Sequence, residues 1–228
     1  LELESRAIGV EELLGRSLSE AERRYAPKAV YIAGCIPIPL PAPRVSVVGT
    51  REPSSEGIEF AKRLVEDLVR EKVIVVSGLA RGIDTVAHTT AIEMGGWTVA
   101  VLGTPLDIFY PPENKELQLR LMRDHMVISQ FPPGSPVSKK NFPMRNRTMA
   151  LISDATVIVE AKERSGVVYQ GWECIRLGRP LLINASLTRA SWVERMAERG
   201  ALLFKTVDEV LEAVRSQPRM VPQAPTQE

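Results

Sequence analysis

From Arg44 onward, short apolar runs alternate with longer stretches of helical periodicity. The runs "RVSVVG", "VIVVSG", "TVAVLG", "MVISQ", "ATVIVEA" and "RPLLIN" are apolar nearly from end to end. Successive side chains of a strand point to opposite faces, so a strand apolar at almost every position is covered on both sides. The intervening text predicts helices over 54–71 and 83–94, around "NKELQLRLMRD", from near Arg145, near Tyr169 to Leu177, and over "VDEVLEAV". Segments of that length can cross back over a sheet, which makes the strands parallel. The pattern predicts an α/β fold, a doubly wound, mostly parallel, Rossmann-like sheet.

The flanks read differently. Residues 1–43 form an N-terminal extension with the charged, helix-compatible text "EELLGRSLSEAERRY", a short strand "AVYIAG", and the connector "CIPIPLPAP". Its four prolines cannot sit inside a helix or a central strand, so the main domain is expected over 44–215. The end, "SQPRMVPQAPTQE", is polar and proline-containing, and residues 216–228 are read as a disordered tail. The two cysteines, Cys35 and Cys174, have no metal-like spacing and are expected as free, buried thiols in a reduced compartment. With no run of about 20 apolar residues, a cytoplasmic protein without a membrane partner is expected. Lys and Arg number 29 against 28 Asp and Glu, so bulk charge argues for no polyanion. The distribution is uneven, however. Lys139, Lys140, Arg145 and Arg147 fall within nine residues that contain no acid.

In open parallel sheets, ligands bind beyond the carboxyl ends of the strands, where glycine-rich turns and helix N-termini present N–H groups to anions. Gly49-Thr50-Arg51, Ser77-Gly78, Arg81-Gly82 and Ser165-Gly166 stand directly after predicted strands and combine backbone access with hydroxyl or guanidinium donors. Strand-to-helix turns also use glycine for geometry alone. The first turn, "GTREPSSEG", is neither a GxGxxG fingerprint nor a GxxxxGK[ST] loop, which argues against NAD and against a P-loop nucleotidase. His88 follows Asp84 by one helical turn, either as a catalytic pair or with Asp84 serving free N–H groups at a helix start. No His/Cys or acidic cluster suggests a metal, and no cofactor is expected.

The ordered series "VSVVGTREPSSEG", "VVSGLARGIDTVAHTTAIEMGGWTVAVLG", "DIFYPPENKEL", "ISQFPPG", "FPMRNRTMALISDATVIVEA" and "RSGVVYQGWECIRLGRP" resembles the Rossmann-like domain of the DprA/Smf family of bacterial DNA-processing proteins. The likeness spans roughly Ala29 to Val214. It implies that Arg51, Ser77 and Gly78 line a positively charged pocket, extended by Phe142, Arg145, Asn146 and Arg147 and by Ser165 and Gly166. In that family the pocket binds single-stranded DNA and helps load a RecA-type recombinase; members commonly dimerise, and no hydrolysis is required. Arginines for phosphates and Phe142 for a base face suit that task. The competing reading has Phe142 plugging the core and Arg145 paired with an acid such as Glu160.

The chain departs from the family pattern at three places. After Ser165-Gly166 come "VVYQGWE", with bulky Tyr169 and Trp172 where small residues are usual; Gln130 stands for a glutamate; and "INASLTR" replaces a Pro-Gly. The first departure also echoes the Pro-Gly-Gly-x-Gly-Thr-x-x-Glu loop of nucleotide-cleaving phosphoribohydrolases, with Glu173 as the candidate acid. A nucleotide sensor or hydrolase is therefore the alternative function. A protein-interaction module would rest only on Trp172, Trp192 and the final amphipathic helix, which core or dimer packing explains equally well.

Overall fold

The computed structural model describes residues 5–163 and 165–216. Among them a nine-stranded sheet has the order β1-β2-β6-β5-β4-β3-β7-β8-β9. Its strands are β1 (Arg6–Ile8), β2 (Val30–Gly34), β3 (Arg44–Val48), β4 (Ile74–Ser77), β5 (Thr98–Leu102), β6 (Met126–Ser129), β7 (Ala155–Ile158), β8 (Leu181–Asn184) and β9 (Leu202–Phe204). β3 to β9 run parallel with their sheet neighbours, while β1 and β2 pair antiparallel and β2 joins β6 antiparallel. Every residue of β3 to β8 is buried. The mostly parallel α/β sheet is thus present, with its apolar strands covered on both faces.

The helices are α1 (Val10–Leu14), α2 (Glu20–Tyr25), α3 (Ser55–Arg70), α4 (Ile83–Glu93), α5 (Lys115–Asp124), α6 (Asn141–Ile152), α7 (Val167–Arg176), α8 (Ser191–Ala197) and α9 (Val207–Arg215). Strand alternation divides the core. Val45, Val47 and Val75 face Phe60, Leu64 and Leu68 of α3, together with α4 and α9. Val48, Val76 and Ile128 face the other layer, built on Met149 and Ile152 of α6, Cys174 of α7 and Trp192 of α8. α3 illustrates how sequence sets an element: the Ser54 side chain accepts from Gly57 N at 3.0 Å, and the stripe Phe60, Ala61, Leu64, Val65, Leu68 is buried. Each large side chain of that stripe contributes about 1.5–3 kcal/mol by leaving water.

The N-terminal extension is built into the sheet. Leu13, Val30, Ile32, Ile36 and Leu40 belong to the same apolar cluster as Met126 and Ile128, so the proline-rich connector packs on the core. Arg44 then opens β3 in an ion pair with Asp154 at 2.9 Å. Cys174 is buried as expected of a core thiol, whereas Cys35 is exposed, a correction to the expectation for that residue. Of the predicted tail, residues 217–228 lie outside the described residues. No helix among the described residues is long and apolar enough to cross a membrane.

The direction of travel reverses at β3. The chain moves outward through β4, β5 and β6, then returns to place β7 on the other side of β3 and continues to β8 and β9. The loops after β3 and β7 therefore lead to opposite sides and leave a crevice at the carboxyl rim of the sheet.

Candidate nucleic-acid interface

Two adjacent cavities occupy that crevice. The first, about 520 Å³, is lined by Gly49, Thr50 and Arg51 after β3, by Ser165 and Gly166 before α7, and by Asn146 of α6. The second, about 310 Å³, opens beside Gly78, Arg81 and Tyr110. Arg51, Glu52, Ala80, Phe142 and Arg145 belong to both, so Phe142 and Arg145 stand at a shared wall.

α6 supplies that wall. It begins at Asn141, four residues before the predicted start, because Pro143 falls in the first turn, where a helix leaves backbone N–H groups unbonded in any case. Phe142 is half-buried, and its ring meets that of Tyr110 at 5.5 Å between centroids and 54° between planes. Arg145 is only 7% exposed. Its Nη1 donates to the carbonyls of Gly78 and Val101, the latter at 2.7 Å, and its Nε donates to Asn146 Oδ1 at 2.9 Å. None of these bonds uses Nη2. The acid near it is Asp84 rather than Glu160, whose carboxylate accepts from Ser54 N and Oγ. Burial pushes the Asp84 carboxyl above the usual carboxylate range, opposed by Arg145 and by the Ala80 N–H. Gly78 has to be glycine for this arrangement, since a methyl group there would run into the Arg145 guanidinium.

The structure parts the two arginines of "RNR". Arg147 lines neither cavity; it pairs with Glu173 at 2.8 Å and lies over the Tyr25 ring, 5.0 Å from its centroid. Asn146 bridges the other way, donating to Gly166 O at 3.4 Å. Ser77 is fully buried and donates to Val47 O at 2.7 Å, so its hydroxyl holds strands together and does not line a cavity. Gly82 serves the turn: its φ of 74° is the left-handed region, and Ile83 N beside it donates to Thr50 O at 3.2 Å. Lys139 and Lys140 are exposed just ahead of α6 and line neither cavity.

Arg51 is the cation left over. Arg81 pairs with Glu113, Lys162 with Glu52, and Arg145 lies beside Asp84. Arg51 is exposed, lines both cavities and has no hydrogen bond or ion pair among the described residues. Sequence reasoning had not placed Glu52, Asp84, Tyr110 or Lys162 at the site. It had Tyr169 and Trp172 together as bulky residues after Ser165-Gly166, and only the fold shows that Tyr169 lines the first cavity while Trp172 lines neither.

The catalytic alternatives lose their geometry. His88 Nδ1 lies 2.7 Å from Thr98 Oγ1, and Thr98 Oγ1 itself donates to Val75 O. Its proton being committed, Thr98 accepts from Nδ1–H and leaves His88 Nε2 bare in the core. Asp84 accepts from Ala80 N at 3.3 Å, in the turn ahead of α4, and not from His88; α4 has no side-chain cap bond, so the helix-start reading is not what its carboxylate does either. Glu173 is buried between Arg147 and Arg176 and lines neither cavity.

Comparisons with known proteins agree with this architecture. A solved structure of the Streptococcus pneumoniae DNA processing protein DprA superposes with a TM-score of 0.77 at 31% identity, covering 93% of this chain and 75% of that one. The Helicobacter pylori counterpart, whose reported structure concerns its single-stranded DNA binding mode, superposes at 0.76 with 21% identity over 94% of this chain and 97% of that one, a likeness of fold. Among curated sequences, the S. pneumoniae protein is 43% identical over 189 residues, 82% of this chain and 66% of its own length. Protein Smf of Synechocystis is 40% identical over 55% of this chain and 32% of its own length. The chain thus spans about two thirds or less of these two curated sequences. The family model described as DNA recombination-mediator protein A matches residues 14–215, and the chain belongs to that family.

Proposed function

We propose that the chain binds single-stranded DNA in the two rim cavities and acts, without catalysis, in DNA processing during recombination or DNA uptake. The observation that carries this reading is Arg51, an unpaired guanidinium shared by both cavities beside the Phe142 ring. Single strands are held by a cationic track along the phosphates and by aromatic faces for the bases. Arg51, Ser165, Gly166 and Nη2 of Arg145 supply the first requirement, Phe142 the second. Lys139 and Lys140 extend the positive field from the rim. Ser77, Gly82 and Arg147 support the site through backbone geometry and packing.

The names of the relatives support the same reading: DNA processing protein DprA for the S. pneumoniae sequence, and single-stranded DNA binding for the H. pylori protein. By the same family resemblance, the protein partner is a RecA-type recombinase, the working form is a homodimer, and the compartment is the cytoplasm.

Fluorescence anisotropy of a labelled oligo-dT tests the proposal. Binding is expected to weaken with salt by about 0.7 log units per log unit for each phosphate contacted, with duplex DNA and nucleoside monophosphates competing poorly. Displacement by micromolar nucleotide, or no DNA binding at low salt, would overturn it.

A further inference from the structure

Tyr169 is 60% exposed, the most open of the large apolar or aromatic side chains among the described residues. Its ring makes no aromatic or cation contact there, and its hydroxyl has no hydrogen bond. It lines the first cavity together with Arg51, Phe142 and Arg145. An aromatic ring left open to water at the mouth of a polar cavity has a free face to offer a ligand. Tyr110 differs, because its ring already rests against Phe142 and belongs to the wall.

A second observation lies one residue further along. Gln170 lines the same cavity, is 1% exposed, and leaves its Oε1 without a hydrogen-bond partner, while its Nε2 has only the Cys174 sulfur at 3.9 Å. A buried amide oxygen without a donor is costly, and a ligand carrying an N–H relieves it. Gly166, Tyr169 and Gln170 follow the i, i+3, i+4 spacing that puts residues on one helix face, and α7 starts there with no side-chain cap. The cavity has the size of sites that enclose a small molecule, about 300–1,000 Å³.

We propose that Tyr169 and Gln170 form a nucleobase subsite: Tyr169 stacks on one base, Gln170 Oε1 accepts from an N–H of that base, and the attached phosphate lies at Arg51. Phe142 separates this base from its neighbour in the second cavity. The subsite rests on the single-strand reading, and it makes the segment after Ser165-Gly166, where the chain leaves its family's pattern, the place where bases rather than phosphates are held.

The test compares oligo-dT with an abasic oligonucleotide of equal length, in wild type, Tyr169→Ala, Tyr169→Phe and Arg51→Ala. Tyr169→Ala is expected to lose affinity for oligo-dT by about 5- to 150-fold with an unchanged salt slope, as loss of one stacked base requires. Tyr169→Phe should retain affinity, and the preference of wild type for dT over the abasic strand should shrink in Tyr169→Ala alone. Equal affinities of wild type and Tyr169→Ala, with Arg51→Ala weakened, would overturn the subsite and leave the DNA reading standing. Failure of wild type to bind any single strand would overturn both.

Discussion

Arg145 and Arg147 look equivalent in the sequence, yet two residues of an α-helix turn through about 200°, so they cannot serve one surface. Arg145 points into the crevice, where Gly78, Val101 and Asn146 fix it, and Arg147 points to Glu173 and Tyr25. Replacing Arg145 and Arg51 by alanine therefore has different consequences. Arg51→Ala removes an exposed, unpaired charge; urea unfolding should be unchanged while affinity for oligo-dT falls and the salt slope drops by about 0.7. Arg145→Ala strands two buried carbonyls and removes the positive charge near Asp84, with an expected destabilisation of about 1–3 kcal/mol for each carbonyl left without its donor. Identical unfolding midpoints for the two variants would contradict this division. The site was legible where residues stand in the turn between a strand and the next helix, as Arg51, Gly78, Ser165 and Gly166 do. The uses of Arg145 and Ser77 were not, because their acceptors lie on strands remote in sequence.

At the level of elements, the strands were readable because their apolar runs are bounded by glycine, proline or charge. The starts of α3 and α4 were readable from Ser54 and Gly82. β9 and α8 escaped notice because three and seven residues carry too little periodicity to register. α4 holds a property that periodicity conceals altogether. His88 is fully buried with Nδ1–H bonded to Thr98 and a bare Nε2, so burial pushes its pKa down to about 3, with the charges of His125 and Arg145 acting in the same direction. The folded pKa is below the ordinary value near 6.5, so beneath that pH the unfolded chain binds a proton that the folded chain refuses. The contribution of His88 is complete above about pH 6.5 and is lost progressively as the pH falls toward about 3. Each pH unit in that window costs up to about 1.4 kcal/mol. Urea unfolding between pH 4 and 7 should show this slope in wild type and a shallower one in His88→Gln; parallel curves would place the proton uptake elsewhere.

Taken whole, the molecule joins its N-terminal extension to the site through charged and aromatic contacts. Glu22 of α2 pairs with Arg16 at 2.7 Å and also with Arg179 after α7, and these charges hold its carboxyl down at about 2 despite burial. Tyr25, at the end of α2, lies beneath both Arg147 of α6 and Arg176 of α7. α2 thereby grips, from behind, the two helices whose opposite faces line the first cavity. The connector's prolines had suggested a boundary near Arg44, since proline breaks regular structure wherever it falls. Proline does not, however, prevent burial of the residues between, and Ile36 and Leu40 are in the core. Deleting residues 1–43 would remove β2 from the edge of β6 and uncover Met126 and Ile128. An exposed apolar edge strand pairs with other chains. The fragment 44–215 is therefore expected to aggregate on expression, whereas the full chain unfolds in a single cooperative step. A soluble 44–215 fragment with the melting temperature of the full chain would show instead that the sheet ends at β6 without loss, and that α6 holds Phe142 and Arg145 at the crevice unaided.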